Sequence, residues 1–212
     1  MAQTIWITRH GSRLDFIDLN WFSQAERPYD PPLAPEGEVQ AQQLGSRLKS
    51  TQIKHIFTSP FLRTVQTAHI IADILALPLK LEAGLSEWLN PDWMTTTPET
   101  LPIDILAQTY PRIDLSYKFL VIPEYPETET VMQSRVTATA IELVEQFPED
   151  LLIVGHGASV VGTAKALAPS SSEINASFCS LVQLVRSNQG WQMILNGDTS
   201  HLSLVEQQVR FN

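Results

Sequence analysis

Short apolar runs recur along the chain, most of them followed by a stretch in which apolar residues return at helical spacing. Thr4 to Thr8, Ile53 to Thr58, Pro78 to Leu81 and Leu151 to Val154 read as strands. Pro35 suits the first turn of a helix over Glu36 to Lys49, with Val39, Leu44 and Leu48 on its apolar stripe and Gly45 as a mild flaw. Ser59 and Pro60 read as the N-cap and first-turn proline of a helix reaching about Leu75, with Val65, Ile70, Ile71 and Ile74 available for burial. Helical spacing returns over Glu129 to Phe147 and again after Gly157. Ser180 to Val185 and Trp191 to Leu195, joined by Asn188-Gln189-Gly190, predict a closing hairpin.

Two stretches break this rhythm. Leu14 to Pro32 mixes aromatic, acidic and proline residues without a period, as a loop over the strand ends would. Leu85 to Thr128 is proline-rich, carries Trp88, Trp93 and Met94, and reads as a substrate cap inserted between elements. Alternating strands and helices predict an α/β fold, a three-layer α/β/α sandwich. Its central sheet is mostly parallel, with an antiparallel edge supplied by the hairpin. A single domain over residues 1–212 is expected, with the cap (85–128) inside it and the last residues as a loosely held tail.

A chain of 212 residues can bury a sizeable core. Its formal charge of −9 argues against nucleic-acid or membrane-surface binding, which needs clustered Lys and Arg, so any anion site must be local. No apolar run approaches membrane-spanning length. The one cysteine, Cys179, cannot form an internal disulfide and sits in an apolar run, which fits core packing and a cytoplasmic location.

The chemistry concentrates where strands end. Arg9-His10-Gly11 follows the first strand and Gly155-His156-Gly157 ends a later one, so a parallel sheet could bring both imidazoles to one crevice at its carboxyl edge. A histidine between arginine and glycine suits phosphoryl transfer: an imidazole nitrogen attacks phosphorus, the guanidinium holds oxygens, and glycine admits close backbone approach. A given Arg-His-Gly triplet arises by chance in on the order of one chain in a hundred of this size. Arg63, four residues after Ser59, falls in the first turns of its helix, where it could face an oxyanion at the helix entrance.

Together these motifs resemble the histidine phosphatase superfamily, the phosphoglycerate-mutase-like fold, over essentially the whole chain. The strings Asp30-Pro31-Pro32-Leu33, Arg63-Thr64-Val65-Gln66-Thr67-Ala68 and Gly84-Leu85-Ser86-Glu87-Trp88 look like the phosphatase domains of the suppressor of T-cell-receptor signalling and ecdysteroid-phosphate phosphatase type. The resemblance implies that His10 is phosphorylated, that Arg9, Arg63 and protonated His156 clamp the phosphoryl oxygens, and that backbone N–H groups near Gly11 and Gly157 assist. It also implies Glu87 as the general acid, with Asp15 competing, and Arg13 as a further substrate contact. Either the site raises the pKa of this acid, to which Trp88 could contribute, or the pH optimum is acidic.

The expected activity is therefore metal- and cofactor-independent hydrolysis of a small or aryl phosphate ester, phosphotyrosine-like esters included, with oligomeric state open. His55, His69 and His201 form no short metal-binding pattern with His10 or His156, and the arginines would repel a cation. A phosphoglycerate mutase, returning the phosphoryl group to a bound product, is the alternative enzyme. A phosphate- or phosphopeptide-binding protein with little turnover is the alternative of another class.

Overall fold

Residues of opposite parity in the strands feed opposite apolar clusters, as a sheet covered on both faces requires. In β1 (Thr4–Arg9), Ile5 and Ile7 enter one cluster and Trp6 the other. The computed structural model describes residues 2–171 and 173–203, so the predicted tail lies outside the described residues. After β1 come α1 (Trp21–Gln24), α2 (Pro35–Leu48), β2 (His55–Thr58), α3 (Leu62–Leu75), β3 (Leu79–Leu81) and α4 (Ile103–Thr109). They are followed by α5 (Glu129–Gln146), β4 (Leu151–Gly155), α6 (Gly157–Leu167), β5 (Leu181–Ser187) and β6 (Gly190–Asp198).

The 6-stranded sheet has the order β3-β2-β4-β1-β5-β6. Its first four strands are mutually parallel; β5 joins β1 antiparallel and pairs with β6 as the expected hairpin. Ala41, Leu44 and Leu48 of α2 and Val65, Ala68 and Ile71 of α3 cover one face, while Leu143 of α5 and Val160 and Ala164 of α6 cover the other. Thus α2, which follows β1, lies on one face and α6, which follows β4, on the opposite face, although these strands are neighbours. Such a switch point opens a crevice at the strands' carboxyl ends.

Several local expectations differ from the structure. Val39 is exposed, because the buried stripe of α2 runs through Gly37, Gln40, Ala41, Leu44, Gly45 and Leu48. Gly45 marks a close crossing of α2 and α3: a Cβ there would stand 2.5 Å from Ile74 Cδ1. On α3, Val65 and Ile71 are buried, but Ile70 and Ile74 only partly so. That helix starts at Leu62, not at Ser59, and its first N–H donates to Asp30 Oδ1 at 2.6 Å, a cap supplied from a distant loop.

The stretch read as a cap divides in two. Residues 86–94 lie beside the strand ends, where Leu89 and Met94 pack on Phe61. Leu106 of α4 and Ile113 instead complete the core along the sheet edge, and the 112–114 backbone bonds to both N–H and C=O of Leu79. Among the described residues no helix is long and apolar enough to cross a membrane.

Candidate active site

The two motif histidines meet because β1 and β4 pair in register, Arg9 beside Gly155, and His10 N–H donates to Gly155 O at 3.0 Å. Their rings are 5.4 Å apart, and both are completely buried. His10 Nδ1–H donates to Gly11 O at 2.7 Å, which leaves Nε2 as the lone-pair nitrogen; Nε2 has no hydrogen-bond partner among the described residues. Burial, Arg63, Arg9 and His156 hold its pKa well below the ordinary histidine value, so the ring is neutral and nucleophilic.

Arg9 and Arg63 are buried charges seated on aromatic faces, Arg9 4.3 Å from the Phe178 ring centre and Arg63 4.8 Å from that of Phe61. Arg9 Nη1 donates to Ala176 O and Arg63 Nη1 to Tyr29 O. Burial lowers Arg63 to about 10, still charged at neutral pH. Asp30 Oδ1, which caps α3, lies 3.9 Å from Arg63. Burial raises the Asp30 carboxyl to about 6.

Glu87 Oε2 lies 3.4 Å from His156 Nδ1 and 3.6 Å from Arg63 Nη2. Of the two alternatives, a raised pKa or an acidic optimum, the first is not met in the free site. Burial pushes upward, but His156, Arg63 and Arg9 together bring the carboxyl down to about 2, so it is ionised in the free site. His156 is correspondingly not a resting cation: burial takes it down to about 4 despite Glu87. Its Nε2 shares a 2.8 Å hydrogen bond with Ser59 Oγ, and its N–H donates to Ser159 Oγ.

Other expected residues are placed differently. Arg13 lines the narrow cleft with Arg63 and Glu87, but its guanidinium forks onto Asp15 through Nε and Nη2. Asp15 is therefore engaged with Arg13, and Glu87 is the carboxylate beside His156. The Gly11 N–H donates to Thr67 Oγ1 at 3.1 Å, so it is not available as an oxyanion donor. Glycine is needed there for helix approach, since a Cβ would stand 2.5 Å from Gly37 O. Gly157 is buried and opens α6, directly after His156.

Trp88 and Trp93 are half-buried, stack edge to face with ring centres 5.1 Å apart, and line a cavity, whereas Met94 is core. Cys179 is buried with φ at 49°, just before β5, and burial pushes its thiol pKa up. Among the described residues no three His, Cys, Asp or Glu side chains group as a metal site.

Sequence reasoning missed the residues that hold this set together. Arg135 on α5 is buried and pairs with Glu127 through Nε at 2.6 Å and Nη2 at 2.7 Å. Its remaining donors reach the carbonyls of Gly84, Ser86 and Glu87. Glu127 Oε2 also accepts Leu89 N–H, so the pair grips the loop carrying Glu87 from both sides. The spacing of Glu127 and Arg135 across a helix start was a usable signal; Thr67 and Asp30 had none beyond their place in the motif strings, and Ser59 carried only an N-cap signal.

The model of the family described as histidine phosphatase superfamily (branch 1) matches residues 5–199. The transcription factor tau 55 kDa subunit of Saccharomyces cerevisiae is 29% identical over 256 residues, covering 98% of this chain and 58% of that protein. Human ubiquitin-associated and SH3 domain-containing protein A is 27% identical, covering 87% of this chain and 34% of that protein. The chain thus spans about a third to three-fifths of the length of these relatives. Curated relatives also include an ecdysteroid-phosphate phosphatase of Drosophila melanogaster and probable phosphoglycerate mutases of enterobacteria. In structure it is similar to the silkworm ecdysone phosphate phosphatase in complex with tungstate, with a TM-score of 0.77 at 21% identity, covering 99% of this chain and 98% of that one.

Proposed function

Because the chain belongs to the histidine phosphatase superfamily, we propose that it hydrolyses phosphate monoesters through a phosphohistidine on His10. The observation that carries this reading is a buried, neutral imidazole whose Nδ1 is tied to Gly11 O while its Nε2 has no hydrogen-bond partner among the described residues, in the field of Arg63 and Arg9. Nε2 attacks phosphorus, the P–O bond to the alcohol breaks, and the leaving oxygen takes a proton. Water then attacks the phosphohistidine, releasing inorganic phosphate and restoring the neutral ring. Arg9, Arg63 and His156 hold the nonbridging oxygens.

Glu87 is the proton carrier in this reading. A dianionic phosphoryl group offsets the cations that keep the carboxyl at about 2, so its pKa rises on binding, and that of His156 rises with it. The site is thus built to take up protons as substrate enters. Gly157 N–H, at the first turn of α6, and Arg13 are the further phosphate contacts we assign. We place the reaction in one catalytic domain, residues 1–212, in the cytoplasm, on a small-molecule ester.

Steady-state hydrolysis of para-nitrophenyl phosphate with chelator present tests this. Wild type should turn over and a folded His10→Ala should not; equal rates would sink the phosphohistidine route. Probable phosphoglycerate mutases among the relatives favour a second reading, in which phospho-His10 returns its phosphoryl group to bound product. Interconversion of 2- and 3-phosphoglycerate without release of phosphate would establish that instead.

A further inference from the structure

A groove of about 690 Å³ lies between α5 and α6, with Glu87 among its lining residues. Glu87 and Trp93 line both this groove and the narrow cleft that holds Arg63 and Arg13. The two are therefore consecutive compartments, with the proposed proton carrier at their junction. A volume of this size is far more than a phosphoryl group fills and falls within the range of small-molecule pockets.

The groove walls are mainly apolar. Trp88, Trp93 and Ile174 line it together with Met132 on α5 and Val161 on α6. The Trp88 wall is preformed: its indole N–H donates to Glu127 O at 3.0 Å, and Glu127 is locked to Arg135. Among the lining residues Lys165 is the one cation, against Glu87, Glu129 and Glu173. A second anionic group on the ligand finds no arginine there to receive it.

Resting on the phosphatase reading above, the geometry points to the α5–α6 groove as the seat of the alcohol half of the substrate. The substrate class is a phosphate monoester whose alcohol carries a ring-sized apolar body and no second acidic group. With phosphorus between the arginines, the bridging oxygen lies at Glu87 and the apolar body extends past Trp88 and Trp93 towards Val161. Phosphoserine and phosphoglycerate leave this surface uncovered and bring a carboxylate to it.

Calorimetric binding of two non-hydrolysable probes to the wild-type protein tests the groove without turnover. Ethylphosphonate and 2-cyclohexylethylphosphonate share the anion and differ in the apolar ring. The ring should tighten binding by roughly thirtyfold or more, given the usual gain per buried methylene. Val161→Trp and, separately, Gln133→Trp fill the groove from opposite walls at partly exposed and exposed positions, and each should cut that preference to about threefold or less. Equal affinity of the probes for wild type, or an undiminished preference in both folded variants, would overturn the assignment. Turnover of the matching phosphate esters is measured alongside. Ring-selective binding with no hydrolysis of either ester would refute the phosphatase reading and leave the groove standing, so the two failures are told apart.

Discussion

At the scale of single residues, the site is a set of buried charges whose protonation is decided by their neighbours. Glu87 is ionised because three cationic or basic groups outweigh its burial, and His10 is neutral because burial and two arginines act in the same direction. His10, His156, Arg9 and Arg63 were legible because each belongs to a motif at a strand end or helix start. The protonation states were not, since they depend on distances such as the 3.4 Å between Glu87 and His156. If Glu87 protonates the leaving oxygen, its loss should matter in proportion to how badly that oxygen needs a proton. Glu87→Gln should lower kcat for an alkyl phosphate by about 10²–10⁴ and for para-nitrophenyl phosphate by far less, because nitrophenolate leaves unaided. Equal losses on both esters in steady-state kinetics would remove the acid role and leave Glu87 as an electrostatic partner of Arg63 and His156.

At the scale of elements, the loop bearing Glu87 has little regular structure of its own and is held by an ion pair from elsewhere. Arg135 matches its donors to two carboxylate oxygens and three loop carbonyls, leaving none unspent. The helices and strands around it were legible from period alone. The loop was not, because its conformation depends on a partner on α5 and on Glu127, about forty positions later. The start of α3 was misplaced for the same kind of reason: Asp30 accepts the Leu62 N–H, while Ser59 Oγ keeps only a long 3.4 Å bond from Phe61 N–H and bonds His156 at 2.8 Å. Removing Arg135 strands a buried carboxylate and several carbonyls, so Arg135→Ala should destabilise by about 3–5 kcal/mol in denaturant unfolding. Arg135→Lys keeps the charge but cannot fork, so it should recover part of that stability while kcat stays depressed. A positioning role predicts this split; full recovery of kcat by lysine would show that charge alone suffices.

At the scale of the whole molecule, the fold concentrates positive charge at one point of an acidic chain. The formal charge is −9, yet the cations Arg9 and Arg63 sit fully or almost fully buried beside two neutral histidines, where β1 and β4 send α2 and α6 to opposite faces. That switch point was implicit in the order of elements, and the placement of β4 between β2 and β1 made it real. Folding without a ligand buries charge at a cost, and a bound oxyanion recovers some of it. Sulfate, which does not titrate in this range, should therefore raise the melting temperature. At a hundredfold excess over Kd the gain is about 2.7 kcal/mol, or roughly 5–10 °C for a chain of this size.

The pH dependence of that shift has a definite sign. His156 has a folded pKa of about 4, below its ordinary value of 6.5, and His10 is lowered as well. As pH falls below 6.5 the unfolded chain binds these protons first, so the free protein loses stability towards pH 4. Asp30, raised from 3.8 to about 6, opposes this over its own window by taking up its proton in the folded state first. Bound sulfate raises the His156 pKa and lets that ring charge in place, so the sulfate-induced shift should grow between pH 6.5 and 4. His10→Ala should keep the shift and Arg63→Ala should lose it. A shift that is flat in pH would mean that His156 does not charge when an anion binds, and the proposed clamp would then consist of the arginines alone.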